Sequence, residues 1–127
     1  VAAGAEEFPV DVKLINVDAV NDTQIVTDVM DCTAMAFGSP TLNQSLMPRM
    51  AATLTYLRGL KPTGKASFAF VSYGRAAKGA EEVASYLAAM QTAPVRDTLT
   101  VRFAPDAATL DQCREAGRLL AQSAMKV

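Results

Sequence analysis

The chain alternates two kinds of hydrophobic pattern. Val10 to Val17 sets Val10, Val12 and Leu14 against Asp11 and Lys13. A period of two with one polar face predicts a strand near a sheet edge. From Asp22 onward the spacing changes: Ile25, Val26, Val29 and Met30 recur at helical intervals, with Asp22 and Thr23 as candidate caps. Ala34 to Phe37 is short and continuously apolar, the mark of a strand covered on both faces. Pro48 opens a helix along Met50, Leu54 and Leu57, which Gly59 and Pro62 are expected to end. Ala66 to Val71 is a second continuous strand with Ser67 its single polar member. Glu81 to Met90 carries Val83, Leu87 and Met90 on one stripe. Leu99, Val101 and Phe103 alternate with polar residues in a last strand, again near an edge. Asp106 or Thr109 then opens a helix lined by Leu110, Cys113, Gly117, Leu120 and Ala124.

Residues 1–8 read as the end of a helix stopped by Pro9, with no cap before it, so the expectation is a chain that starts inside a helix. The order is α-β-α-β-α-β-α-β-α. Such alternation builds a parallel sheet with helices on both faces, here as one domain over residues 1–127.

Composition removes whole classes of chemistry. Histidine is absent, which excludes Ser-His and Cys-His catalysis and any His-ligated metal. Cys32 and Cys113 stand far apart and form no Cys-x-x-Cys pair, so zinc and iron–sulfur sites fail on ligand count. Two reduced, buried thiols are the plainer reading, with a disulfide left open. No apolar run reaches the roughly 18 residues that span a bilayer. Net charge is −1, which argues against generic nucleic-acid binding. The charge is unevenly placed. Residues 1–31 hold seven acids and one base, whereas residues 32–80 hold six bases (Arg49, Arg58, Lys61, Lys65, Arg75, Lys78) and no acid.

In an open parallel sheet, ligands bind outside the carboxyl ends of the strands. Two strands here lead into polar, turn-rich stretches: Gly38-Ser39-Pro40-Thr41-Leu42-Asn43-Gln44-Ser45, and Ser72-Tyr73-Gly74-Arg75-Ala76-Ala77-Lys78-Gly79. The first offers hydroxyl and amide groups on a proline-stiffened backbone. The second offers an aromatic ring, a glycine and a cation. Together they can sandwich a flat heteroaromatic ring and hydrogen-bond its edge. Taken singly, each is more often an ordinary helix-leading loop.

The segments Gly38 to Pro48 (GSPTLNQSLMP), Tyr56 to Pro62 (YLRGLKP) and Phe70 to Arg75 (FVSYGR) resemble the flavodoxin-like domain of flavodiiron proteins. The resemblance covers nearly the whole chain. It implies a flavodoxin-like three-layer sandwich around a parallel sheet, with FMN as cofactor and a cytoplasmic setting. It implies electron transfer from a donor such as an acidic, rubredoxin-like protein to the diiron domain of an oxygen or nitric oxide reductase. Such a domain needs no acid, base or nucleophile of its own, and neither nucleic acid nor membrane as partner. Carried over, Ser39, Pro40, Thr41, Leu42, Asn43 and Gln44 would border the flavin, and Ser72, Tyr73, Gly74 and Arg75 would form the second flavin loop. Arg75 would favour the reduced, anionic ring, and the basic third of the chain would attract the donor.

The departures are specific. The family's first strand and Ser/Thr-rich phosphate loop have no counterpart in the sequence. Asn43-Gln44-Ser45 stands for Asn-Asn-Gly, Arg75 for a tryptophan, and Ala77 and Lys78 for glycine and glutamate. They sustain a second reading, a flavodoxin-like scaffold or interaction domain that no longer binds flavin. A phosphate-receiver domain ranks below both, because the strand-end loops hold no acid. Lack of a first strand would leave unpaired backbone groups on two strands. The expected repair is the upstream segment itself, direct pairing of Val10–Val17 with Ala34–Phe37, or a partner chain, a homo-oligomer included.

Overall fold

The computed structural model describes residues 1–42, 45–60, 62–74 and 78–125. The elements in chain order are α1 (Ala2–Ala5), α2 (Asp22–Asp31), β1 (Ala34–Leu42), β2 (Ser45–Leu46), α3 (Pro48–Leu60), β3 (Ala66–Tyr73), α4 (Lys78–Ala89), β4 (Ala93–Pro94), β5 (Leu99–Arg102) and α5 (Ala107–Met125). β1 and β3 run parallel in the register Ala34↔Ala66 through Pro40↔Ser72. β4 and β5 both pair with β3, along successive parts of its other edge, and both are parallel to it. The sheet order is therefore β2-β1-β3-β4, with β5 also on β3. This is the expected α/β sandwich with a parallel sheet.

The two faces bury different cores. On one, Ile25 and Val29 of α2, Met50, Leu54 and Leu57 of α3, and Val83 and Leu87 of α4 pack on Met35, Phe37, Ala69 and Val71. On the other, Ala116 and Leu120 of α5 cover Phe68 and Leu99. Full burial of an aliphatic side chain such as Leu54 or Leu57 contributes roughly 1.5–3 kcal/mol. Ser67 is fully buried in β3, and its hydroxyl is matched to that of Thr92 at 2.9 Å. That pairing removes the cost of a buried, unsatisfied polar group.

Helix ends follow side-chain chemistry with one shift from the sequence reading. Asn21, rather than Asp22 or Thr23, caps α2: its side-chain oxygen accepts from Gln24 N–H at 2.9 Å. Asp106 caps α5 in the same way through Thr109 N–H at 2.8 Å. Gly59 does not end α3, which continues to Leu60.

The clearest departure is Val10–Val17. The alternation predicts a strand, but residues 10–16 form no regular element and make no ladder with β1. Alternating residues produce a strand only where a neighbour offers backbone partners. Here Leu14 stays in solvent at 87% exposure and Val12 is exposed, while Val10 is half-buried. Direct pairing with Ala34–Phe37 is thus not the arrangement adopted. Among the described residues β1, expected at the centre of the sheet, pairs along its outer edge only with β2, at Thr41 and Leu42.

Candidate functional site

Because β1, β3 and β5 are parallel, their carboxyl ends share one rim. The two stretches singled out from sequence meet there. Their stems are strand rather than loop: Ser39, Pro40 and Thr41 continue β1, and Ser72 and Tyr73 complete β3. Pro40 and Ser72 are register partners. β1 then turns back antiparallel into β2, with Thr41 opposite Leu46 and Leu42 opposite Ser45. Asn43, Gln44 and Arg75 lie outside the described residues, as do Ala76 and Ala77.

The polar groups at this rim divide into engaged and unengaged. The Ser39 hydroxyl is buried; it donates to the Pro40 carbonyl at 2.8 Å and accepts from Met47 N–H at 3.2 Å. It ties the hairpin stem to the start of α3. Glu82 on α4 accepts from Leu46 N–H at 3.1 Å and anchors the hairpin from the other side. Thr41 differs, since its Oγ1 is buried with no hydrogen-bond partner among the described residues. That oxygen lies 3.0 Å from where a side chain on Gly79 would begin, so glycine there lets the first turn of α4 close over it. An unmatched buried hydroxyl is costly and marks a place where a ligand atom would complete the pairing.

A third strand end joins the rim. Phe103 N–H donates to the Tyr73 carbonyl at 2.8 Å, and Arg102 Nε donates to the Gly74 carbonyl at 3.2 Å. Phe103 takes a left-handed backbone with φ of 61° and is 67% exposed. The Arg102 guanidinium sits 5.3 Å from the centre of its ring. Sequence alternation assigns Phe103 an inward strand position and misses this. The available signal was Pro105 two residues on, which ends the strand early.

The basic segment is less of a rim than its sequence suggests. Arg49 pairs with Asp22 at 3.1 Å and donates to the carbonyls of Val17 and Val20. Arg58 stacks over Tyr86 at 5.0 Å. The Lys65 ammonium caps the end of α2 through the carbonyls of Met30 and Cys32, at the amino end of β3 and away from the site. Lys78 opens α4 beside the rim, where Arg102 also stands.

A groove lies away from this rim. It measures about 610 Å³ and runs between residues 10–17 and the free edge of β1. Cys32 borders it, half-buried and unpaired, its thiol donating to the Val29 carbonyl at 3.0 Å. Burial pushes that thiol up from its ordinary value, with Lys65 opposing the shift. Among the described residues no group of three Cys, Asp or Glu side chains could hold a metal ion, and no helix is long and apolar enough to cross a membrane.

No family model matches the chain. Over 125 residues it is 32% identical to the anaerobic nitric oxide reductase flavorubredoxin of Aeromonas hydrophila, a match that covers 96% of this chain and 25% of that protein. The structure of rubredoxin oxygen:oxidoreductase from Desulfovibrio gigas superposes with a TM-score of 0.93 at 28% identity, over 98% of this chain and 31% of that one. A flavodoxin from the domain Archaea gives a TM-score of 0.83 at 25% identity, over 96% of this chain and 83% of that one. The chain spans between about a fifth and a third of the length of the curated relatives it matches.

Proposed function

Since this chain is a flavodoxin-like domain homologous to one part of the flavodiiron proteins, we propose that it holds FMN at the rim formed by β1 and β3 and serves as an electron-transfer module. Flavodoxin-like and flavodiiron homologues are FMN-binding proteins. The observation that carries the reading is the pairing of Pro40 with Ser72, which sets the two candidate loops side by side, together with the unpartnered Thr41 hydroxyl between them and α4. Thr41 Oγ1 and the backbone of Pro40 to Gln44 would hydrogen-bond the flavin edge. Tyr73 and Gly74 would border the ring from β3, with Arg75 adding positive charge. Bound FMN would supply one- and two-electron redox chemistry. The protein's part is to orient the ring, keep one face dry and tune its charge.

The parent activity is proposed to be oxygen or nitric oxide reduction, with electrons passing to a diiron domain outside this chain. Lys78, Arg102 and Arg75 suit an acidic donor of the rubredoxin kind, whose approach a cationic rim would speed. Reconstitution decides the matter. The chain titrated with FMN is expected to turn yellow and quench the free flavin's fluorescence. A chain that stays colourless at saturating FMN overturns the proposal and leaves the flavin-free scaffold standing. Arg75→Ala in the holo-domain is expected to lower the potential of the hydroquinone couple, and an unchanged potential would remove Arg75 from the tuning.

A further inference from the structure

The end of β5 braces the second candidate loop. Arg102 is the register partner of Tyr73, and the Phe103 N–H bond to the Tyr73 carbonyl is followed by the Arg102 Nε bond to the Gly74 carbonyl. The Phe103 ring lies along the same glycine, since a side chain on Gly74 would begin 3.6 Å from its Cε1. A left-handed backbone such as that of Phe103 is strained for an aromatic residue, and the strain persists where surrounding contacts over-determine it. The consequence falls on the peptide between Tyr73 and Gly74. Among the described residues no peptide bond is cis, and in a trans peptide the N–H points opposite to the carbonyl. The Tyr73 carbonyl faces β5, on the far edge of β3 from β1. Gly74 N–H therefore faces the β1 side, just beyond the Pro40–Ser72 pair. The phase of the ladder, set by Ala66 N–H on the Thr33 carbonyl, would bring it to the Thr41 carbonyl. That bond is not formed, and among the described residues Gly74 N–H has no acceptor.

We propose that Arg102 and Phe103 are positioning residues of the rim. They hold the carbonyls of Tyr73 and Gly74, and so present the Gly74 N–H toward β1 as a preset donor for an acceptor atom on the edge of a flat ring bound between the two loops. For the identity of that ring as flavin the inference rests on the function proposed above; the clasp itself belongs to the chain alone. A glycine left free samples a wide range of backbone angles. Fixing it beforehand removes that ordering cost from binding and aims the donor without rearrangement. Arg102 acts here through the hydrogen bond from Nε, not through its charge. The Nε2 of a glutamine occupies the same place along the side chain, so a neutral residue can do the same work.

The test titrates the full chain with FMN and compares substitutions at the two exposed positions. Arg102→Met keeps the length of the side chain without a donor, and is expected to weaken FMN binding about fivefold, the worth of one hydrogen bond. Arg102→Gln keeps the donor without the charge, and is expected to hold the affinity within about twofold of the unsubstituted chain. Phe103→Gly keeps the left-handed backbone and its N–H but loses the ring, and is expected to weaken binding about threefold. In the flavin-free chain the NMR order parameter of the Gly74 amide is expected at about 0.85, falling below about 0.6 in Arg102→Met. Equal weakening by Arg102→Met and Arg102→Gln would assign Arg102 to charge alone and overturn the proposal. Unchanged affinity in Arg102→Met would overturn it too, as would a Gly74 amide equally ordered with and without that substitution. A chain that takes up no FMN overturns the flavin reading instead, and the order parameter still decides the clasp.

Discussion

Pro40 of β1 and Ser72 of β3 face each other as the last matched pair of a parallel ladder. Two segments 32 residues apart in sequence thus end at one level, and each leaves the sheet carrying polar groups. Next to Pro40 stands Thr41, whose buried hydroxyl finds no partner among the described residues. Thr41→Val is expected to weaken FMN binding about fivefold, the worth of one neutral hydrogen bond near 1 kcal/mol. The flavin-free protein should lose no stability, because an unsatisfied polar atom has been removed. Fluorescence titration and chemical denaturation of the same variant separate the two effects.

Close helix contact makes a second prediction. A side chain on Gly117 would begin 1.9 Å from the Val1 carbonyl oxygen, so α1 rests directly on α5 at this glycine. Gly117→Ala is expected to destabilise by about 1–3 kcal/mol, as overpacking does. Gly59 is the contrast. It lies inside α3 with nothing within 4 Å of an added side chain. Gly59→Ala should stabilise by about 0.5–1 kcal/mol. Denaturant midpoints of the two variants should move in opposite directions.

Acid titrates the tie between residues 10–17 and α2. The Lys13 ammonium, hydrogen-bonded to Asp28, holds that carboxyl below its ordinary value of 3.8. A carboxyl lowered in the folded state adds stability at pH above its unfolded value, and that stability is lost as pH falls through the folded value. Lys13→Met should therefore flatten the dependence of melting temperature on pH below about pH 4. A melting series in acid, with and without the substitution, reads this directly. Parallel curves for the two proteins would show that the ion pair contributes nothing to acid stability.

Charge at the rim gives a kinetic prediction. Lys78→Gln and Arg102→Gln, applied to reconstituted protein, should slow reduction by an acidic rubredoxin at low ionic strength. The difference should vanish in about 1 M salt, where screening acts over about 3 Å. Lys65→Gln, at the opposite end of β3, should leave that rate unchanged.

Much of the architecture was legible in the order of patterns. The central strands, the helices and the shared rim all follow from period and punctuation. What was not legible depended on neighbours. Val10–Val17 has the residues of an edge strand but no adjacent backbone to pair with, and side-chain alternation cannot report that. The polar stretch Ser39–Leu42 looked like loop, yet pairing with Val71–Ser72 and with β2 makes it strand. The β1–β2 hairpin went unseen because no glycine stands in the sequence between its two strands to announce it. A tally of lysines and arginines likewise could not show that Arg49, Arg58 and Lys65 are engaged by neighbouring groups away from the rim.

β1 also borders two places at once. Its first half forms a wall of the groove and its second half forms the stem of the candidate flavin rim. A single rigid ladder leaves little room for one half to move without the other. A change in packing at Ala34–Gly38 is therefore transmitted along the ladder to the Pro40–Ser72 end, where the two candidate loops leave the sheet.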